Sequence, residues 1–185
     1  MSTRTLPETT FQMPDGVCIR IREAREIDLP GMEWDGEFAH FRRLYKQHFQ
    51  NSRSGNTLIW VAENEEKEIV GQVFLSLLSS QSELADGIHR AYLFSFRLKS
   101  AYRNHGLGGY MLEFVEKYLV QRGFDTLRIN VARDNDLAKQ MYEKHGYRVV
   151  GSDEGCWRYE DQFGQWQTVH EPAWRMLKKL KQDAG

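Results

Sequence analysis

The stretch "YRNHGLGGYM", Tyr102 to Met111, sets Gly106, Gly108 and Gly109 directly ahead of a strongly patterned helix. The run before it, "HRAYLFSFRL", is rich in aromatic and long apolar residues and reads as a strand. A strand that runs into glycines and then a helix leaves backbone N–H groups without intrahelical partners at the positive end of the helix dipole. Glycines let an anion approach those N–H groups, and Arg103 adds a charge able to pair with phosphate oxygens. The chemistry indicated is phosphate binding; the competing reading is a turn whose glycines only let the helix pack closely. Two familiar phosphate loops do not fit. A Walker loop needs Lys and then Ser or Thr after its last glycine, where Tyr110 follows Gly109, and the dinucleotide fingerprint needs a third glycine where the chain has Met111.

Further along, "NDLAKQMYEKHGY" places Asn135, Ala138, Tyr142, Gly146 and Tyr147 on a capped helix and its exit. Taken alone, Asn135 reads as a helix cap and Tyr142 as a core aromatic. The order of strand, Arg103-x-x-Gly106-x-Gly108, amphipathic helix, strand and Asn135-x-x-Ala138-x-x-x-Tyr142-x-x-x-Gly146-Tyr147 resembles the acetyl-CoA-binding core of the GNAT superfamily of N-acetyltransferases. The likeness extends over about Val17 to Leu180 and is specific from Tyr92 to Gly151.

The resemblance implies an α/β fold with a mixed, mostly antiparallel sheet, helices on both faces, and a splay between the fourth and fifth strands where CoA enters. It implies that the pyrophosphate sits on the loop, Arg103, Asn104, His105, Gly106, Leu107, Gly108 and Gly109. It also implies that pantetheine pairs with the fourth strand's exit at Phe96, Arg97 and Leu98, an added strand in ligand form. Asn135 and Ala138 would border that arm, the former able to hydrogen-bond it as well as cap its helix. Carried over from the family, Leu98 N–H is the oxyanion donor and Tyr142 the proton donor to the departing thiolate, a role its position in the motif favours over packing. The implied activity is acetyl transfer from acetyl-CoA to a primary amine of a small molecule, peptide or protein. The alternative is a non-catalytic acyl-CoA-binding or sensing module on the same fold.

The catalytic strand carries no carboxylate to serve as base; its uncharged polar groups are Tyr92 and Ser95. The remaining candidates are Glu33, Asp35, Glu37, Glu83, Asp86 and His170, of which the acidic ones read first as solvated surface charges. The acidic residues together suggest an acidic mouth that would favour a cationic acceptor. Trp157, Tyr159, Trp166 and Trp174 are expected to combine core packing with one wall of the acceptor pocket.

These side chains need a scaffold, and its pattern is plain. "VCIRIR" alternates as a half-buried strand, "TLIWVA" and "EIVGQVFLSL" form a hairpin around "ENEEKE", and "TLRINVA" alternates Leu127, Ile129 and Val131 against Arg128, Asn130 and Ala132. Leu107, Tyr110, Met111, Phe114, Val115, Tyr118 and Leu119 form one helical stripe ending at Gly123. Asp28 is expected to cap the first of two helices broken near Gly36, and the C-terminal third to add strands with a turn at Asp161 to Gly164. A loose leader over 1–15 then precedes one domain over 16–182.

At 185 residues and a formal net charge of -1, the chain carries no basic arm for nucleic acid and no apolar run fit to span a bilayer. Cys18 and Cys156 are expected to be buried thiols, and the histidines have no metal-ligand spacing. The expected protein is cytoplasmic, without a metal, nucleic-acid or membrane partner, and compatible with a homodimer.

Overall fold

A computed structural model describes residues 6–181. Ten strands, β1 (Thr9–Gln12), β2 (Cys18–Glu23), β3 (Thr57–Glu63), β4 (Ile69–Ser76), β5 (Arg90–Leu98), β6 (Thr126–Ala132), β7 (Arg148–Asp153), β8 (Cys156–Glu160), β9 (Trp166–His170) and β10 (Ala173–Lys179), alternate with three α-helices. The helices are α1 (Arg42–Ser52), α2 (Leu107–Gln121) and α3 (Asp136–Lys144). Eight strands form one sheet in the order β1-β2-β3-β4-β5-β6-β10-β7, and β8 and β9 pair as a separate hairpin. The catalytic strand expected as the fourth is therefore β5.

The β5–β6 pair is parallel while the others are antiparallel. A parallel pair needs a long crossover, and α2 supplies it. Its pairing extends only from Arg90–Leu93 to Thr126–Ile129, after which the strands part, as the resemblance implied. The alternating apolar residues cover α2 and α3 on one face, burying Trp60, Leu93, Met111, Leu112, Ile129 and Tyr142. On the other face α1 seals Phe41, Tyr45, Ile59, Val61 and Phe74. Among the described residues no helix is long and apolar enough to cross a membrane.

Three expectations are corrected. The leader's residues 1–5 lie outside the described residues, but its remainder is not loose: β1 pairs with β2, and Leu6 and Met13 join the core. Two helices broken at Gly36 are replaced by 3-10 turns at Glu26–Asp28, Pro30–Glu33 and Ala39–Phe41, then α1. Trp34, Asp35 and Gly36 all have positive φ, 48°, 58° and 100°, and a right-handed helix cannot pass through them. Asp28 sits inside the first of these turns, where it accepts the Arg25 N–H at 2.7 Å and pairs with Arg22. Finally, both cysteines are exposed, because strand alternation turns Cys18 and Cys156 to the solvent side of β2 and β8.

Candidate active site

The glycine loop forms a concave run of amides. Asn104 and Gly106 take positive φ, 62° and 89°, and Gly106 caps α2. Among the described residues, the N–H groups of residues 104–109 donate to no protein acceptor. Alternating backbone handedness with bare N–H groups at a helix start is an anion nest. The packing reading also holds at one position: a Cβ on Gly109 would lie 2.7 Å from His145 Nε2, and that ring is held through Nδ1 and the Met141 carbonyl at 2.9 Å. Gly108 faces Met141 Sδ and the Leu98 side chain at 3.4 and 3.5 Å from its own would-be Cβ. Leu107 is fully buried, so it offers the loop only its amide, while Asn104 and His105 are exposed.

Arg103 turns back onto the strand exit, its Nε donating to the Leu98 carbonyl at 2.8 Å. Lys99 N–H donates to the Val70 carbonyl, and the preceding residue, Leu98, stands opposite Gly71. In an antiparallel ladder the backbone groups of that preceding residue point away from the partner strand, so Leu98 N–H faces the gap that β6 leaves open. Upstream, Ser95 at φ 48° accompanies a bulge against β4. The bulge re-aims the strand: Phe96 and Leu98 pack toward the α2–α3 face, whereas Arg97 reaches the other face. There it donates to the Tyr45 hydroxyl at 2.6 Å and lies 4.3 Å over the Phe38 ring.

On α3, the Asn135 side chain accepts the Ala138 N–H at 3.1 Å, so its capping role is real, and its amide nitrogen has no partner among the described residues. Tyr142 is buried with its ring edge-on to Tyr147 at 5.6 Å, and its hydroxyl has no hydrogen bond to the described residues. Burial, and secondarily the nearby Tyr92, pushes the Tyr142 phenol well above its ordinary pKa. Burial likewise pushes Tyr92 up to about 12. Both phenols are neutral at physiological pH.

The opposite face carries an aromatic wall in which Phe41 meets Tyr159 at 5.0 Å and Trp157 at 6.0 Å. Trp174 does not contribute to it; this residue packs toward the α2–α3 core beneath Arg133, and Trp166 is 61% exposed under Arg158. The acidic mouth is not assembled either. Arg42 binds both Glu33 oxygens at 2.7 and 2.8 Å, while Asp35 and Glu37 remain exposed surface groups. Asp86 Oδ1 accepts the N–H groups of Ile88, His89 and Arg90 at 3.0, 2.8 and 2.9 Å. Burial alone would raise its pKa, yet those three donors hold it at about 2. It staples the loop before β5. Glu83 and His170 are exposed.

Sequence reasoning missed what this face does hold. His40 lies 4.1 Å from Phe41, and burial followed by the charge of Arg97 draws its pKa below the ordinary value, which favours the neutral imidazole. His48, between Phe74 and Phe94, is held by burial at about 4. Arg128 lies near the end of the parallel ladder, opposite Tyr92, and Asn130 and Arg175 face each other just beyond it. The signal for the first two was present in "TLRINVA", whose alternation assigns them to the face opposite Leu127, Ile129 and Val131.

A model of the acetyltransferase (GNAT) family matches residues 21–147. The chain belongs to the GNAT family. As a GNAT acyltransferase it is 28% identical over 117 residues to YdgE, an uncharacterized N-acetyltransferase of Bacillus subtilis, covering 61% of this chain and 69% of that protein. It is 31% identical over 85 residues to the acetyltransferase SG1711 of Sodalis glossinidius, covering 46% of this chain and 56% of the relative. Among solved structures, PaiA N-acetyltransferase of Thermoplasma acidophilum, in complex with coenzyme A, superposes with a TM-score of 0.63 at 19% identity, covering 87% of this chain and 98% of that one. The GNAT domain of S. lividans PAT reaches a TM-score of 0.68 at 16% identity, covering 94% and 97% of the two chains. At these identities the superpositions speak for the fold, in which this GNAT chain shares the splayed sheet. The names of the relatives weigh against a purely non-catalytic module.

Proposed function

We propose that this GNAT enzyme uses acetyl-CoA and transfers its acetyl group to an amine by direct attack on the thioester. The observation that carries the reading is the row of unbonded amides at 104–109, placed beside a strand whose Leu98 N–H is turned into an open gap. The nest and Arg103 suit a pyrophosphate, and the strand edge at Phe96, Arg97 and Leu98 suits an amide-bearing arm. The Asn135 amide nitrogen, left over by its capping bond, suits the same arm. When bound, acetyl-CoA supplies the activated acyl group. Leu98 N–H donates to the carbonyl oxygen as negative charge develops there, the Tyr142 hydroxyl gives its proton to the departing sulfur, and the proton shed by the acylated nitrogen restores the phenol. The nucleotide approaches from the α2–α3 face, which leaves the face of Arg97, Tyr92 and the aromatic wall for the acceptor.

The test is thiol release from acetyl-CoA across a panel of amino acids, polyamines and peptides, with acetyl-CoA affinity measured separately by calorimetry. Gly108→Val places methyl groups between α2 and the strand exit, beside Leu98 and Met141. The expected result is acetyl-CoA affinity weakened ~10-fold or more, about 1.4 kcal/mol, in a protein that still melts cooperatively. A folded variant with wild-type affinity would remove the nest from the site.

A further inference from the structure

We infer that the acceptor amine carries a carboxylate, bound by Arg128 and Arg175 on the sheet face opposite α2 and α3. The inference rests on the transferase reading and specifies its substrate class. Arg128 is only 7% exposed, and its NH1 donates to the Glu83 carbonyl at 2.7 Å. Its Nε is buried and makes no hydrogen bond, and among the described residues no carboxylate oxygen comes within 4.0 Å of it. Arg175 is more open: its side chain is 38% exposed, and its Nε makes no hydrogen bond but faces Asp153 Oδ2 at 3.7 Å. A guanidinium withdrawn from water needs its donors satisfied, and a second one beside it adds like-charge repulsion. One arm of Arg128 pins the Glu83 loop, which leaves its own buried Nε without a partner, beside a half-exposed second arginine whose Nε has only a long contact to Asp153.

Register puts these groups on one surface. Tyr92 stands opposite Arg128 in the parallel ladder, and Asn130 opposite Arg175 in the β6–β10 ladder. Their neighbours Leu93, Ile129 and Met176 point into the α2–α3 core, so Tyr92, Arg128, Asn130 and Arg175 share the other face. Tyr92 ties this surface to β5, the strand whose exit at Leu98 faces the gap. Asn130 Oδ1 is also buried without a donor, an acceptor suited to amine hydrogens beside donors suited to an anion. Arg97, stacked over Phe38 and Phe41 with no acidic partner among the described residues, adds positive potential on the same side. Planar guanidinium groups bind carboxylates through paired N–H donors, and this bonding is lost when the carboxylate becomes an amide.

The experiment compares matched pairs: the common α-amino acids and a series of ω-amino acids, each beside its carboxamide, with thiol release giving kcat/KM. The best acid is expected to exceed its amide ~10-fold or more, one charge-assisted hydrogen-bond pair in ratio terms. Arg175→Gln should collapse that ratio toward one, with Arg175→Lys recovering part of it, while calorimetry reports whether each variant still binds acetyl-CoA. Arg128→Lys supplies a second probe should the glutamine variant fold poorly. Binding of the N-acetylated acids and amides in the presence of CoA gives the same comparison without turnover. If no acid is preferred to its amide in either measurement, or if polyamines are preferred throughout, the carboxylate site is overturned. The transferase reading fails separately, only if no amine of any charge releases thiol.

Discussion

Replacing Tyr142 by phenylalanine is expected to lower turnover ~100-fold or more while leaving acetyl-CoA affinity and melting temperature close to wild type. The reasoning separates ring from hydroxyl. The ring is packed against Tyr147 and the α2–α3 core, and phenylalanine keeps that packing. The hydroxyl has no hydrogen bond to the described residues, so its removal breaks no protein contact and subtracts only the proton it can deliver. Burial holds the phenol above its ordinary pKa, so ionisation of Tyr142 does not limit the reaction at neutral or mildly alkaline pH. The wild-type rate should instead climb with pH as the amine loses its proton. Steady-state kinetics, with a pre-steady-state check that chemistry limits the rate, measure the effect. Unchanged turnover would reduce Tyr142 to a packing residue.

The largest effect on stability is expected at Arg22. Its guanidinium holds Asp28 at 2.7 and 2.9 Å and also bonds Glu63, and all three residues are buried. Burial on its own would raise both carboxyl pKa values, but the hydrogen bonds and charge of Arg22, together with Arg25 at Asp28 and Lys67 at Glu63, outweigh it and leave them below the ordinary 3.8 and 4.5. Arg22→Met leaves Asp28 with only Arg25 and Glu63 with only the longer contacts to Arg25 and Lys67, and removing the main partner of a buried ion pair typically costs about 3–5 kcal/mol. For a chain of this size that lowers Tm by roughly 6–20 °C, measurable by circular dichroism. Adding Asp28→Asn and Glu63→Gln to Arg22→Met should restore much of the loss, since neutral replacements carry no buried charge. The depressed pKa values also fix a sign. The wild-type contribution is fully present above the ordinary carboxyl range and disappears as pH falls through the lower folded values, so acid should close the gap between wild type and the triple variant. A loss below about 1 kcal/mol for Arg22→Met would show that the cluster is solvated in practice.

What the sequence disclosed was local in origin. The β3–β4 hairpin, the α2 stripe and the glycines before it depend on neighbours a few residues away, and these signals survive without tertiary information. The left-handed turn at Trp34 and Asp35 was hidden because Trp rarely takes positive φ and Asp, though enriched there, takes it only in a minority of cases. β1 escaped notice because four residues between prolines acquire strand character only through pairing with β2. Formal charge misled most. Glu33 and Asp86 read as a mouth for cations, but one is clamped by Arg42 and the other binds loop amides. Arg128 and Arg175 meet only once β10 returns beside β6, a pairing that no local pattern declares.

The short first strand has a practical consequence for any attempt to transplant the glycine motif. Thr9 Oγ1 meets the Tyr110 hydroxyl at 2.6 Å, and the Phe11 ring lies 5.1 Å from Tyr110 and 3.5 Å from the would-be Cβ of Gly106. β1 is thus a splint strapped across the start of α2, made from residues that precede the matched span of 21–147. A truncated or chimeric protein that begins at Val17 would retain Gly106, Gly108 and Gly109 while losing the wedge behind them. Hydrogen exchange in the first turns of α2, from the Tyr110 N–H onward, should then quicken, because the strand that braces this end of the helix is gone.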